Sequence, residues 1–278
     1  MEIPPGVREF LRRALEEDIG PGDITTALLV PPDHRSRAHF LAKSDCILAG
    51  IPFVEEVFSL LDPSLRLRSF FSEGETITKG HVIAEVSGKT SGILAGERVS
   101  LNLLQRISGI ATLTRRYTEQ IQGYNARIVD TRKTTPCLRF MEKYAVRTGG
   151  GSNHRFGLFD GILIKDNHIR AAGSIRQALA RAKKEHHLTK IEIEISTSED
   201  LLEAIEAGAD IVMLDNMSVD EIKASVTAAH GRVPLEASGG VTLENVRSIA
   251  QTGVDFISVG ALTHSAQAVD ISMELVSG

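Results

Sequence analysis

The stretch "IEIEISTSEDLLEAIEAGADIVMLDN", residues 191–216, decides the fold. It opens with an apolar, β-branched run at 191–196. It continues into a segment where Thr197 precedes Asp200 by three positions and Gly208 closes the turn. Those residues resemble a capping box and a glycine stop, so the spacing predicts a helix over 197–208. A second apolar run follows at 211–216. Strand, helix and strand in this order form a βα unit, and repeated βα units build a parallel sheet.

The unit recurs on both sides. Apolar runs stand at 127–131, 161–166, 234–240 and 256–261, and from 191 onward the starts are about 20 residues apart. Helices are expected between them, from Ser174, from Ser218 (with Glu221 in a Ser-x-x-Glu box, ending at Gly231) and from Thr242 to Gly253. Six strands fall short of eight, so an incomplete or seven-stranded barrel competes with a doubly wound sheet. Small residues after the last two strands, 238–240 and 259–261, favour the barrel. Such barrels bind phosphate there through backbone N–H groups.

The first half reads differently. A short helix is expected at 7–17 and a hairpin at 35–50. Residues 65–88 alternate in period two, with glycine turns at 74 and 80. This predicts an α+β module with antiparallel strands. The tip around Lys89 resembles a biotin or lipoyl carrier hairpin, but its neighbours do not match a carrier, so Lys89 reads as a turn lysine. Residues 94–123 carry apolar positions at helical spacing, and Ser108-Gly109 is expected to break that helix.

Bulk properties set limits. The chain has 278 residues, 42% hydrophobic and only 5% aromatic, without tryptophan. A core of Ile, Leu, Val and Ala suits buried parallel strands. No run of about 18 apolar residues and no signal-type segment is present, so a cytoplasmic protein is expected. Cys46 and Cys137 have no metal or redox spacing. The net charge of −5 argues against a nucleic-acid partner, yet residues 127–170 hold nine Lys/Arg against four Asp/Glu. Such a basic stretch in an acidic chain can draw anions into a cleft.

In a parallel barrel the strand C-termini face the active site. Arg132 and Lys133 follow the first strand, and His154-Arg155 lie on a glycine-rich loop before the second. Lys165 ends the second strand. Glu192 and Glu194 share a face of the third, where inward carboxylates need partners or a metal. Asp215 ends the fourth. Ser238, Gly239 and Gly240 follow the fifth, and Gly260 and Ala261 the sixth. Each residue alone has an ordinary explanation as a helix cap or solvated charge. Together they describe a mouth with cations on one side, carboxylates in the middle and glycine amides on the other. Glu194 and Asp215 form an oxygen set suited to Mg2+.

The motifs "EDIGPGDITT", "LAGERVSLNLLQRISGIAT", "DTRKTTPCLR", "GGGSNHRFGLFDGILIKDNH", "IEIEIS", "IVMLDN", "EASGGV" and "ISVGALTHS" stand in order almost end to end. In them the chain resembles the quinolinate phosphoribosyltransferases, decarboxylating nicotinate-nucleotide pyrophosphorylases of de novo NAD synthesis. The resemblance implies a type II phosphoribosyltransferase of α/β class. An N-terminal α/β sandwich, 1–107, would be rejoined by 268–278, and an incomplete, seven-stranded-type α/β barrel would occupy 108–267. It implies Arg132, Lys133, His154, Arg155 and Lys165 around quinolinate, with Arg98 contributed across a homodimer that some members assemble into hexamers. Glu194 and Asp215 would hold the ribose hydroxyls and Mg2+ of phosphoribosyl pyrophosphate. Ser238, Gly239, Gly240, Gly260 and Ala261 would cradle its 5-phosphate. Lys133, Lys165, Glu194 and Asp215 would form the catalytic set.

Three rivals stand beside it. One is a relative from molybdenum-transport operons with the same fold, another a Schiff-base aldolase barrel using Lys165, the third a scaffold with a degenerate site. The full cationic set argues against all three, and Lys165 in that set reads as electrostatic.

Overall fold

The computed structural model describes residues 2–185 and 188–276. His186, the last residue of one expected helix, and Ser277-Gly278 of the returning terminus lie outside the described residues. Twelve strands occur among the described residues. In the first half they are β1 (Arg35–Ala42), β2 (Cys46–Ile47), β3 (Arg66–Ser69), β4 (Thr76–Ile77) and β5 (Val82–Lys89). Then come β6 (Arg127–Val129), β7 (Ile162–Ile164), β8 (Ile191–Ile195), β9 (Ile211–Asp215), β10 (Leu235–Ser238), β11 (Phe256–Ser258) and β12 (Ile271–Val276).

The chain divides into two compact units. One comprises Met1–Leu113, Thr135–Gly150 and Ala266–Gly278, and the other Thr114–Thr134 and Gly151–Ser265.

The second unit carries six parallel strands in the order β6-β11-β10-β9-β8-β7. Chain neighbours pair in sequence, and the first strand pairs with the last, with Ile128 opposite Ile257. That cyclic order is a barrel's; a doubly wound sheet reverses direction from a central strand. A seventh segment touches the ladder through the parallel bridge from Val129 to Ser152. Ser152 and β7 are thus the two ends of the hydrogen-bonded order, and the barrel is open between them. The loop 153–161 spans the opening. The strands bury both faces, as in β8, where four of five residues are buried. Thr197 and Ser218 cap their helices as the spacing requires, and Ser218 and Glu221 form the reciprocal box. The helix expected from Thr242 starts later, at Val246–Ala250.

The first unit holds the antiparallel sheet β12-β1-β5-β3 and the small pair β2-β4. The expected hairpin at 35–50 does not form. β1 pairs with β12 and β5, and β2 pairs with β4, because the sheet partners of both strands come from farther along the chain. Alternate residues of β1 are buried, and Phe40 packs edge-on against Phe58 at 6.2 Å between ring centres. Lys89 ends β5 and is followed directly by a helix, so it occupies no hairpin tip.

Two further expectations are corrected. Residues 135–150 belong to the first unit, although the expected barrel domain, 108–267, includes them. Their helix, Arg139–Thr148, sets the Tyr144 ring 5.3 Å from Phe53, and Tyr144 donates a 2.7 Å hydrogen bond to Glu73. Buried Glu142 accepts from Arg106 Nε at 2.9 Å and from Thr135 N at 3.1 Å. These contacts outweigh sequence proximity. The second correction concerns the long helix, Thr90–Gln120, which runs unbroken through Ser108-Gly109. Gly109 is there for a close approach. A Cβ on it would stand 2.1 Å from the backbone oxygen of Gln267.

Gly109→Ala is therefore expected to destabilise the protein by about 1–3 kcal/mol through overpacking against backbone. Chemical denaturation would measure it, and an unchanged midpoint would contradict the close approach.

Candidate active site

Six strand ends converge on one cleft of about 470 Å3 in the second unit. β6 supplies its extension, Arg132 and Lys133, and β7 leads to Lys165. β8 presents Glu194, β9 ends at Asp215, β10 brings Glu236 and Ser238, and β11 ends at Ser258. The loop that spans the open barrel supplies His154 and Arg155. Eight of the residues singled out in the sequence thus line a single cavity.

The loop is held by a buried acid. Asp130, fully buried just beyond β6, accepts from the backbone N–H of His154 at 2.9 Å and from the Asn153 side chain at 2.5 Å. His154 and Arg155 thereby gain a fixed base. Arg155 donates to the carbonyl of Gly161 at 3.0 Å. Burial and the neighbouring Arg132 guanidinium push the Arg155 pKa below its ordinary value. Two guanidiniums brought together in a half-buried cleft create a site that an anion relieves.

Three inward carboxylates, Glu194, Glu192 and Asp215, have hydrogen-bond partners. Lys165 Nζ donates to Glu194 at 2.6 Å, so the residue expected on one substrate is paired with a residue expected on the other. Glu192 is deeper, 6% exposed, and meets His154 Nε2 at 2.7 Å. Asp215 accepts from the Asn216 side chain at 2.9 Å. Asn216 adopts a left-handed φ of 56° and donates its own N–H to Ser238 at 2.8 Å, which ties the ends of β9 and β10 together.

The glycine side is built next to this cleft. Gly239 and Gly240 line a neighbouring cavity of about 430 Å3 that shares Asn216 and Ser238 with it. Gly260 abuts Lys133, since a Cβ there would stand 3.0 Å from Lys133 Cδ. Thr263 donates to the Lys133 carbonyl at 2.8 Å and fixes the backbone of that lysine. Ala261 begins the short helix Ala261–His264. Arg98 lies in the first unit, on the helix Thr90–Gln120.

Three residues escaped the sequence reading: Asp130, Thr263 and Glu236. Glu236 stands two positions before Ser238, on the same face of β10, and period two is the signal that could have found it. An isolated acid between Leu235 and Ala237 was overshadowed by the Ser-Gly-Gly that follows. Among the described residues, no helix is long and apolar enough to cross a membrane.

The fold and the cleft define an open α/β barrel whose mouth is lined by cations and carboxylates. Residues 110–274 match the quinolinate phosphoribosyl transferase C-terminal domain, and residues 23–108 match the N-terminal domain of the same family. A probable nicotinate-nucleotide pyrophosphorylase (carboxylating) of Bacillus subtilis is 47% identical over 97% of this chain and 93% of its own. A probable enzyme of the same name from Synechocystis is 45% identical over 99% and 95%. The solved nicotinate-nucleotide pyrophosphorylase of Francisella tularensis superposes with a TM-score of 0.93 at 41% identity, covering 99% of this chain and 98% of that one. The chain belongs to the quinolinate phosphoribosyltransferase family.

Gly239 tests the glycine side. A Cβ there would meet Asn216 Oδ1 at 2.1 Å and its backbone nitrogen at 3.0 Å, at a φ of +92°. Gly239→Ala is expected to cost about 1–3 kcal/mol and to displace Asn216 from Asp215. Thermal melting together with a crystal structure of the variant would check both effects.

Proposed function

We propose that the chain transfers the phosphoribosyl group of phosphoribosyl pyrophosphate to quinolinate and forms nicotinate mononucleotide, CO2 and pyrophosphate. The reaction belongs to de novo NAD synthesis, and the cytoplasm is its expected place. The observation that carries this reading is one cleft that joins four cations, Arg132, Lys133, Arg155 and Lys165, to the carboxylates Glu194 and Asp215. The names of the relatives, which specify pyrophosphorylase and carboxylating activity, support it.

Quinolinate carries two adjacent carboxylates. Arginine offers a planar fork to a carboxylate, and lysine a point charge. Arg132, Arg155, Lys165 and His154 grip the dianion and aim the ring nitrogen at C1 of the ribose. Binding the dianion relieves the crowding of Arg132 and Arg155. Glu194 and Asp215 take the ribose hydroxyls. Ser238, Gly239, Gly240, Gly260 and Ala261 hold the 5-phosphate through backbone N–H groups. Lys133, fixed by Thr263, faces the charge that develops on departing pyrophosphate.

Glu194 and Asp215 end neighbouring strands, as Glu194 pairs with Met213 and Asp215 with Ser238 in register. Two carboxylates so placed fit Mg2+, which keeps water and substrate oxygens in its shell. When bound it would neutralise diphosphate charge. Lys165 acts as a charge and forms no Schiff base. Its 2.6 Å contact holds Nζ against the Glu194 carboxylate instead of leaving it free to attack a carbonyl.

The test is direct. Incubation with quinolinate, phosphoribosyl pyrophosphate and Mg2+ should yield CO2 and nicotinate mononucleotide, and no product should form without quinolinate. Arg132→Ala should weaken quinolinate binding by about 2–5 kcal/mol and phosphoribosyl pyrophosphate binding far less. Equal weakening of both would count against the assignment. The homodimer with Arg98 reaching the neighbouring site has its own check. Arg98→Ala mixed with Lys133→Ala should regain part of the activity, and no recovery in verified mixed dimers rejects the cross-subunit role.

A further inference from the structure

We infer that Glu236 is the acid that gives the pyridine ring its new proton as CO2 leaves, an inference that rests on the reaction proposed above. Decarboxylation breaks the bond between C2 and its carboxylate. The electron pair stays on C2, beside a ring nitrogen made positive by ribosylation. That pair must take up a proton. Arginine does not release one, and an ordinary lysine holds its own at a pKa near 10.4. A buried carboxylic acid that stays neutral near pH 7 is a suitable donor.

Glu236 has the position for this. It is 3% exposed, inside the barrel. It lines the cleft that holds Arg132, Arg155 and Lys165. It also lines a second cavity of about 250 Å3, which Ile162, Lys190, Ile211 and Phe256 border at the opposite, starting ends of the strands. One carboxyl group therefore meets the substrate cleft on one side and a route for water on the other.

Its surroundings require it to hold a proton. Glu192 Oε2 meets His154 Nε2 at 2.7 Å, and Glu236 Oε2 lies 3.9 Å from the same nitrogen. One ring nitrogen of His154 and one carboxylate oxygen each of Glu192 and Glu236 lie within 4.8 Å of one another. Oε1 of Glu192 and Oε1 of Glu236 are both buried without a hydrogen-bond partner. Glu192 has His154 Nε2 at 2.7 Å and the charge of Arg155 nearby, whereas Glu236 faces the same imidazole from 3.9 Å. Burial first, and then the charge of Glu192, push Glu236 up to about 8, so Glu236 is the carboxyl that holds a proton.

The step balances. The carbon–carboxylate bond breaks and CO2 departs without the electron pair. The O–H bond of Glu236 breaks, and its proton forms the C–H bond at C2. Water from the second cavity then returns a proton to the carboxylate. Each turnover consumes one proton from solvent.

The experiment follows pyrophosphate and CO2 separately in single turnovers of the full-length enzyme, wild type and Glu236→Gln. Wild type should release the two in equal amounts. Glu236→Gln should lower the CO2 to pyrophosphate ratio at least tenfold and accumulate quinolinate mononucleotide, because general acid catalysis contributes about 10²–10⁴-fold. Glu236→Asp should restore part of the ratio. A normal ratio in Glu236→Gln, or an equal loss of both products, overturns the inference and leaves the reaction itself standing. If Glu236→Gln does not fold, wild type in D2O decides, since CO2 formation should slow while pyrophosphate release does not, and equal rates in D2O and H2O overturn the inference. Wild type that releases neither product overturns the proposed reaction together with the inference.

Discussion

The pairing of β6 with β11 is the constraint on which the site depends. It joins the first parallel strand to the last, with Val129 opposite Ser258. Without it the six strands would be an open sheet with Arg132-Lys133 at one edge and Asp215 and Glu194 far from it. With it, the cations after β6 stand against Gly260 and Thr263 after β11. The mouth follows from that closure. The opening on the other side, between Ser152 and β7, leaves room for a loop where a further strand would sit. That loop carries His154 and Arg155, so the missing part of the barrel supplies part of the cleft's lining.

Buried charge sets the second condition. The acids inside and at the rim of the barrel meet different partners. Asp130 takes backbone and amide N–H groups, Glu194 takes Lys165, Glu192 takes His154, and Glu236 takes up a proton. Position alone thus gives similar side chains different surroundings, and at Glu236 burial and the charge of Glu192 push the pKa upward.

Much of this was legible in the sequence. The βα repeat, the capping residues and the charged strand ends all follow from local rules, and local rules describe parallel units well because each strand–helix pair is built from adjacent residues. What was not legible depends on distant partners. β1 and β2 are near in sequence but pair with β12, β5 and β4. The helix Arg139–Thr148 follows its contacts with Phe53 and Glu73 out of the barrel unit. Gly109 looks like a helix breaker until Gln267 is seen against it. Glu236 is a single acid in an apolar strand, and only the assembled barrel reveals Glu192 and His154 beside it.

The placement of β12 also bears on synthesis at the ribosome. The sheet of the first unit needs Ile271–Val276 beside β1, although β1 is among the first strands made. Every residue of the barrel unit, through Ser265, leaves the ribosome before that edge strand does. The unit that begins the chain is therefore the last to be completed. Until then β1 keeps an unpaired edge, the kind of surface that newly made chains must shield from one another.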